Sequence, residues 1–169
     1  MDKQREEYLR KKYGDKYGGW RKHDPMDAYR KMVKQNTKTV LIPKGIHIFI
    51  LEDSYERIWS LKKMIEGKAT VTWVKDNVDA MKRFQQEKSK IGLLMIDHDL
   101  GHTKYSNDDT TVEFVQWLAQ NHRGYRVPTI IHSLNPRGAM FLKYTLQQAN
   151  FPKVYQTPFE YLDIVVEEK

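Results

Sequence analysis

Short apolar runs alternate with helix-type patterns from Ile46 to the end of the chain. The first run, IHIFIL, is apolar at almost every position and rich in β-branched residues, which is typical of a strand buried on both faces. The runs TVTWV, IGLLMI, PTIIHS and KVYQ follow it, each after a segment with helical spacing. Five strands that alternate with five helices predict an α/β fold with a doubly wound parallel sheet.

Polar residues follow four of the predicted strands at the point where each strand ends. These clusters are Glu52-Asp53, Asp97-His98-Asp99, His132-Ser133 and Thr157-Pro158. Since the ligand site of an open parallel sheet lies outside the carboxyl ends of its strands, we expect the clusters to meet at one edge. A last helix, with Leu162 and Val165 on one side, is predicted after Pro158.

The basic charge of the chain is concentrated in its first quarter. The net charge is +7, and residues 1–44 hold 13 Lys/Arg against 6 Asp/Glu, while residues 45–169 hold 16 of each. We therefore divide the chain into a basic helical N-terminal extension, residues 1–44, and a domain, residues 45–169. The extension is either a contact for nucleic acid or another polyanion, with Tyr8 and Trp20 available for stacking, or a solvated arm that aids solubility.

Residue content excludes several classes of site. The 169 residues include no cysteine, which rules out disulfides, thiolate metal ligands and cysteine nucleophiles. The chain has no apolar stretch near the roughly 18 residues that a membrane span needs, and no signal-peptide block. We therefore expect a cytoplasmic protein without membrane contact.

Residues 46–166 resemble a bacterial response-regulator receiver domain. The stretch IFILEDSYERIWSLKKMI resembles the first strand, acidic pair and first helix of that family, and LLMIDHDL resembles the third strand with its phospho-acceptor aspartate at Asp97. VPTIIHS resembles the fourth strand with its hydroxyl residue at Ser133, and TPF resembles the Lys-Pro-Phe after the fifth strand. The resemblance implies a flavodoxin-like sheet of five parallel strands.

Two departures separate the chain from ordinary receivers. Thr157 stands where receivers carry the lysine that contacts the acyl phosphate, which argues against ordinary phosphorelay. The sequence DHDLG at residues 97–101, followed by HSLNPRGAM at residues 132–140, instead resembles the divergent cyclic-phosphate-processing receiver family. That family occurs in phage and bacterial conflict, and the resemblance implies action on a cyclic phosphate.

Three carboxylates are expected to converge because neighbouring strands carry them. Glu52 and Asp53 leave the first strand and Asp97 leaves its neighbour, and like charges held close together require a cation or a shared proton. Oxygen ligands of this kind suit Mg²⁺ or Mn²⁺. The alternative is that Glu52 and Asp53 only cap the first helix, whose N-terminus favours acids.

Two imidazoles and a group of polar donors complete the candidate site. His98 and His132 can exchange protons near neutral pH, with Asp99 orienting His98, although either is alternatively a buried structural histidine. The candidates for gripping phosphate oxygens are Ser133, Asn135, Arg137 and Gly138. Asn-Pro followed by Gly is also an ordinary turn signal. The polar insertion GHTKYSNDDT is either a lid or a surface loop.

These residues lead to the hypothesis of a metal-dependent phosphodiesterase in phage–host conflict. Its substrate would be a cyclic nucleotide or RNA that ends in a 2′,3′-cyclic phosphate. Asp53 and Asp97, supported by Glu52, would hold the cation, while His98 and His132 act as base and acid in either order. Two alternatives stay open: a non-catalytic pseudo-receiver that binds a protein or nucleotide, and a nucleic-acid-binding regulator that uses residues 1–44.

Overall fold

The computed structural model describes residues 32, 34–101 and 110–167. The chain divides into two compact units, residues 1–37 and residues 38–169. The extension helices predicted before residue 32, the aromatic residues Tyr8 and Trp20, and residues 102–109 of the polar insertion lie outside the described residues. None of the helices in the described ranges combines the length and the apolar content that a bilayer crossing needs.

The second unit contains strands and helices in close alternation. They are β1 (Lys38–Pro43), β2 (His47–Leu51), α1 (Tyr55–Ile65), β3 (Thr70–Val74), α2 (Asn77–Glu87), β4 (Ile91–Ile96), α3 (Val112–Asn121), β5 (Thr129–Ile131), α4 (Pro136–Gln148), β6 (Val154–Gln156), a 3₁₀ turn (Phe159–Tyr161) and β7 (Leu162–Glu167).

The predicted five-stranded parallel sheet is confirmed. Its strand order is β3-β2-β4-β5-β6, and every neighbouring pair is parallel. This order has the first strand of the sheet next to the third, which is the flavodoxin-like doubly wound arrangement. The order places the carboxyl ends of β2, β4 and β5 side by side at the centre of the sheet.

Two apolar layers cover the sheet. On one face, α2, α3 and α4 pack on the sheet around Phe49, Phe84 and Phe114, which are fully buried. On the other face, α1 packs together with β1 and β7 against Ile48 and Ile50. Because both faces are covered, the central strands are apolar along their length rather than alternating.

Helix caps fix the loops that leave the carboxyl edge. Ser54 Oγ accepts the N–H of Arg57 at the start of α1, and Asn135 Oδ1 accepts the N–H of Gly138 at the start of α4. Such caps satisfy donors that the first helical turn leaves unpaired. They also fix the directions in which the residues after β2 and β5 leave the sheet.

The prediction of a last helix after Pro158 is wrong. A single 3₁₀ turn is followed by β7, which pairs in parallel with β1 in a separate two-stranded sheet. Leu162, Ile164 and Val166 are buried while Val165 is exposed, which is the alternation of a strand. The partner strand β1 belongs to the second compact unit, although the sequence-based boundary after residue 44 places it in the helical extension.

Candidate functional site

The ends of three central strands bring three polar residues together. Glu52, Asp97 and His132 each come directly after a strand, and these strands are in register at their carboxyl ends. The N–H of Asp97 donates to the carbonyl of Leu51 across 3.0 Å, and the N–H of His132 donates to the carbonyl of Ile96 across 2.9 Å. Glu52 and Asp97 are 45 positions apart in the sequence, and Asp97 and His132 are 35 positions apart. In the sheet, however, Asp97 is the direct neighbour of both.

Glu52 is fully buried, and both of its carboxylate oxygens are hydrogen-bonded. Oε1 accepts the N–H of Ser54 at 2.8 Å, while Oε2 lies 3.1 Å from Nε2 of His132 and 3.3 Å from Nη1 of Arg57. Burial by itself raises the pKa of Glu52, but the interactions with His132, Ser54 and Arg57 outweigh it and lower the pKa to about 2. Glu52 is thus an ionised carboxylate inside the protein.

Asp97 is the second buried acid, with 3% of its surface exposed. Its Oδ1 accepts the N–H of His98 at 2.7 Å, and its Oδ2 accepts Nη1 of Arg57 at 2.7 Å. Burial raises the pKa of Asp97, and the charge of Glu52 adds to the rise. Interactions with His132 and Arg57 oppose the rise without reversing it. The surroundings therefore lower the pKa of Glu52 and raise the pKa of the neighbouring Asp97.

Arg57 is a site residue that the sequence analysis missed. Its Nη1 contacts both Glu52 and Asp97, and its Nη2 lies 3.6 Å from Oε1 of Glu160. A signal was present in the sequence: Arg57 occupies the first turn of α1, where the positive end of the helix dipole disfavours a cation unless specific anions compensate. Here the compensating anions are the acids at the strand ends.

Asp53 lies half-buried beside the two buried acids. Its Oδ2 accepts the N–H of Gly101 at 2.5 Å, and a Cβ at residue 101 would approach this oxygen to 2.7 Å. Glycine at the end of the DHDLG sequence therefore lets the backbone reach the carboxylate. Ligand oxygens of Glu52, Asp53 and Asp97 lie within 4.8 Å of one another, which confirms their predicted convergence.

His98 lies flat against the start of α4. A Cβ on Gly138 would come within 2.5 Å of three atoms of the His98 ring, so only glycine leaves space for the imidazole. Nδ1 of His98 is 2.7 Å from Oδ1 of Asp99. Within the described residues, Nε2 of His98 has no hydrogen-bond partner. Asp99 therefore contacts one ring nitrogen of His98, and the His98 side chain is 10% exposed.

His132 has different surroundings. It is fully buried, its Nε2 faces Glu52, and its ring packs edge-on against Phe159 at a centroid distance of 5.6 Å. Its Nδ1 is buried without a hydrogen-bond partner among the described residues. The structure therefore holds His132 behind Glu52, away from solvent.

The four predicted phosphate-binding residues have separate positions. Ser133 is buried, with Oγ 3.5 Å from Oδ2 of Asp99, and its Oγ accepts the N–H of Asn135. Asn135 caps α4, because its Oδ1 accepts the N–H of Gly138. This hydrogen bond occupies both the Asn135 oxygen and the Gly138 N–H. Arg137, between Asn135 and Gly138 in the chain, is exposed. Of these four residues, Ser133 alone lines the pocket at this edge of the sheet.

A pocket of about 510 Å³ opens at this edge of the sheet. Acidic side chains dominate its lining, and Arg57 is the one basic residue among the lining residues that the structure describes. His98 and His132 are not among them, although Asp99, the partner of His98, is. The acids that line the pocket are Asp53, Glu56, Asp97, Asp99 and Glu160.

A family model described as the cyclic-phosphate processing receiver domain matches residues 26–148 of this chain. The match covers β1 to β5, both acidic strand ends and the whole of α4. The chain belongs to this family. Among curated proteins, no sequence matches it.

This member of the cyclic-phosphate processing receiver family is similar to solved receiver domains. The phosphorylated cyanobacterial phytochrome response regulator RcpA is 17% identical, with a TM-score of 0.52, over 67% of this chain and 80% of that one. A response regulator receiver domain from Clostridium thermocellum is 10% identical, with a TM-score of 0.49, over 67% and 82%. The receiver domain of a putative LuxO repressor protein from Vibrio parahaemolyticus is 20% identical, with a TM-score of 0.47, over 68% and 79%.

The positions at which this chain departs from ordinary receivers lie around Asp97 and after β6. Thr157, which replaces the receiver lysine, is buried after β6 and donates its N–H to the carbonyl of Ile131 at 3.0 Å. The cation that contacts Asp97 in this structure is instead Arg57, which comes from α1. The DHDLG sequence supplies the His98–Asp99 pair and the glycine that contacts Asp53.

Proposed function

We propose that this chain hydrolyses a cyclic phosphodiester with the help of a divalent cation. The observation that supports this best is the placement of two functions beside one pocket. Asp53 and Asp97 line the pocket as candidate cation ligands, and Asp99 lines it while holding His98 at 2.7 Å. Charge neutralisation and an oriented imidazole are the two contributions that phosphodiester hydrolysis needs from a protein.

The donor set fits a hard divalent cation such as Mg²⁺ or Mn²⁺. Carboxylate oxygens are the preferred ligands of such ions, and the three carboxylates lie within 4.8 Å of one another. Asp53 and Asp97 are the ligands that face the pocket, while Glu52 supports them from a buried position. A bound cation would lower the electrostatic cost of bringing a phosphate into an acidic pocket and would polarise its P–O bonds.

His98 is the imidazole assigned to proton transfer in this proposal. The carboxylate of Asp99 accepts a hydrogen bond from Nδ1–H of His98, which leaves the lone pair of Nε2 free to take a proton from water. The water oxygen then bonds to phosphorus while the P–O bond of the ring breaks. The proton taken up by His98 is returned to the departing oxygen, so one imidazole serves as base and then as acid.

His132 takes a positioning role in place of the acid–base role considered from sequence. The His132 side chain is fully buried, whereas the His98 side chain is 10% exposed and contacts Asp99, which lines the pocket. The Nε2 hydrogen bond of His132 keeps Glu52 oriented. Ser133 is the one predicted phosphate-binding residue that lines the pocket, and its Oγ–H is suited to a phosphate oxygen. Asn135 and Gly138 contribute by shaping the start of α4.

The size of the pocket supports a nucleotide-sized substrate. A volume of about 510 Å³ lies within the roughly 300–1,000 Å³ of typical small-molecule sites. Cyclic nucleotides and the cyclic-phosphate end of an RNA both fall in this class. The basic residues of the extension, residues 1–44, would favour the approach of such an anion.

The test is direct hydrolysis of a substrate panel followed by ³¹P NMR. The panel contains 2′,3′-cyclic nucleotides, 3′,5′-cyclic nucleotides and RNA with a 2′,3′-cyclic phosphate end, each with Mg²⁺, Mn²⁺ or EDTA. We expect cation-dependent turnover of at least one class, and a loss of about 10²- to 10⁴-fold in His98→Ala. His47→Asn, at the opposite end of β2, is the matched imidazole control and should retain activity.

Two results would overturn this proposal. One is the absence of turnover for every substrate with every cation. The other is full activity of His98→Ala, since this variant lacks the only imidazole that the proposal uses for chemistry.

A non-catalytic binding role is the second candidate, favoured by a different observation. Met140, Phe141 and Tyr144 on α4 and Tyr155 on β6 are 46–62% exposed, which is high for large apolar side chains. Such a surface is suited to a protein partner. If Tyr144→Glu abolished a biological response while hydrolysis was absent from the wild type, the binding role would be supported in place of the enzymatic one.

A further inference from the structure

Three aromatic residues and two lysines form a surface group on α1, on β3 and directly after β3. This group is here called the aromatic–lysine cluster: Tyr55, Trp59, Trp73, Lys63 and Lys75. Tyr55 is 67% exposed and Trp59 is 60% exposed, so neither ring contributes fully to the core. Trp73 is half-buried. Large aromatic surfaces kept in water at this level indicate a surface that contacts something else.

The rings of the aromatic–lysine cluster are held in defined positions. Tyr55 and Trp73 meet edge to face with centroids 4.9 Å apart. The ammonium of Lys75 lies 3.7 Å from the Tyr55 centroid and 4.5 Å from that of Trp73, and it donates a hydrogen bond to the Tyr55 hydroxyl. Lys63 lies 3.4 Å above Trp59. The aromatic faces and the positive charges are therefore interleaved.

The cluster lies at the same edge of the sheet as the pocket. Nε1 of Trp73 donates to the carbonyl of Glu52 at 2.6 Å, which ties the cluster to the first acid of the site. Tyr55 comes between Ser54 and Glu56 in the chain, and both of these residues line the pocket. Since β3 is the neighbour of β2, the cluster is one strand away from the carboxylates.

The chemistry of the cluster complements that of the pocket. The pocket is acidic and, in the proposed function, takes the phosphate with the help of a cation, whereas the cluster offers flat π surfaces with positive charge beside them. Aromatic side chains stack on any nucleobase, and nearby cations favour the phosphates attached to it. A nucleotide is a ligand that has both a flat ring system and a negative charge.

We propose that the aromatic–lysine cluster stacks the base of the nucleotide whose phosphate enters the pocket. This inference rests on the proposed function for the position of the phosphate, and it adds that the substrate is a nucleoside derivative. Tyr55 and Trp59, which lie one helical turn apart on α1, provide the stacking surfaces. Lys75 balances the charge of the ligand.

The experiment is equilibrium binding of two phosphate monoesters to the full chain in the presence of Mg²⁺, measured by calorimetry. Adenosine 3′-monophosphate carries a base, and glycerol 1-phosphate lacks one. Tyr55→Ala and Trp59→Ala should each weaken binding of the adenosine compound by about 5- to 150-fold, the range that one stacked base provides. The same variants should leave glycerol 1-phosphate binding within about twofold, since it has no base to stack.

Matched variants separate stacking from folding effects. Tyr55→Phe and Trp59→Phe keep a flat ring and should retain most of the affinity. Val78→Ala shortens an equally exposed apolar side chain on α2 and should leave both ligands unaffected. An equal loss for both ligands in the Ala variants, or no loss for either, would overturn the assignment of this cluster to a base.

This binding test is independent of the hydrolysis test, because neither probe contains a cyclic phosphate that could be hydrolysed. Base-dependent binding without hydrolysis of any cyclic compound would uphold the cluster and reject the enzymatic function. Hydrolysis of a cyclic phosphate together with no detectable binding of adenosine 3′-monophosphate would support the enzymatic function and reject the role of the cluster in base stacking. In that case the cluster would be assigned to a protein partner.

Discussion

Arg57 donates a 2.7 Å hydrogen bond from Nη1 to Oδ2 of Asp97, the aspartate that ends β4. The same nitrogen lies 3.3 Å from Glu52, so one guanidinium serves two buried carboxylates. Arg57 occupies the position of a neutralising cation in this structure. A divalent ion held by Asp53 and Asp97 would therefore share Asp97 with the arginine.

Replacing Arg57 tests this relationship through stability. In Arg57→Met, Glu52 and Asp97 lose a charged donor inside the protein, and we expect unfolding free energy to fall by about 1–3 kcal/mol without divalent cations. Mg²⁺ should restore part of the loss, because it compensates the same negative charges. Urea denaturation with EDTA and with Mg²⁺ measures both values.

Arg83→Met is the control for this experiment, because the Arg83–Glu87 pair is partly exposed on α2 and should contribute only about 0–1 kcal/mol. A loss in Arg57→Met that is no larger than in Arg83→Met would show that the guanidinium does not hold the buried acids.

Asp53 should control cation binding without supporting the fold. Asp53→Asn removes a half-exposed charge beside two other acids, so we expect unchanged or slightly higher stability in EDTA and a loss of most of the stabilisation by Mg²⁺. Thermal unfolding across a Mg²⁺ titration measures this. Asp79→Asn, which changes an exposed acid on α2, should keep the full response to Mg²⁺. An undiminished response in Asp53→Asn would exclude Asp53 as a ligand.

The contact between His98 and Gly138 predicts a change of sign in a double-mutant cycle. Gly138→Ala places a methyl group within 2.5 Å of the imidazole and should destabilise the protein by about 1–3 kcal/mol. In a His98→Ala background the space is open, and the same change should stabilise by about 0.5–1 kcal/mol because alanine is a better helix former. Additive effects in chemical denaturation would contradict this close packing.

Glu52 should make stability depend on pH in the acid range. Its pKa in the folded protein, about 2, is below the ordinary value of 4.5, so ionised Glu52 stabilises the fold above pH 4.5. This contribution is lost as the pH falls from 4.5 through 2, and it is on the order of 3 kcal/mol at neutral pH. Glu52→Gln should therefore lower stability at pH 7 and flatten the pH dependence below 4.5. Parallel curves for the two proteins would contradict the lowered pKa.

The C-terminal strand β7 can be checked residue by residue. Ile164 is 2% exposed and Val165 is 40% exposed, as expected for neighbours in a strand. Ile164→Ala should cost about 2–5 kcal/mol of unfolding free energy, and Val165→Ala should cost much less. If the segment were a helix with Leu162 and Val165 on its buried side, Val165→Ala would instead cost more unfolding free energy than Ile164→Ala.

The sheet was predictable from sequence because its strands are buried on both faces. Such strands appear as nearly continuous apolar runs, and the parallel order follows from the alternation with helices. The convergence of Glu52, Asp53 and Asp97 followed from the same rule, since the carboxyl ends of neighbouring parallel strands share one edge. Local sequence and one topological rule were sufficient for these conclusions.

The role of β7 was not predictable in this way. The segment LDIVVE contains both a three-residue spacing, Leu162 to Val165, and a two-residue alternation through Ile164 and Val166. Six residues are too few to decide between a helix and a strand. The pairing of β7 with β1, more than a hundred residues away, decides it.

Local sequence determined which runs form strands, since this depends on neighbours within a few positions. The strand order then determined which acids meet at the carboxyl edge. Tertiary structure decided the rest of the site. It paired Arg57 with Asp97, placed His132 behind Glu52 and laid His98 on Gly138. The physical reason is that side-chain burial and charge pairing depend on packing between distant segments, and a single chain read in order does not contain those distances.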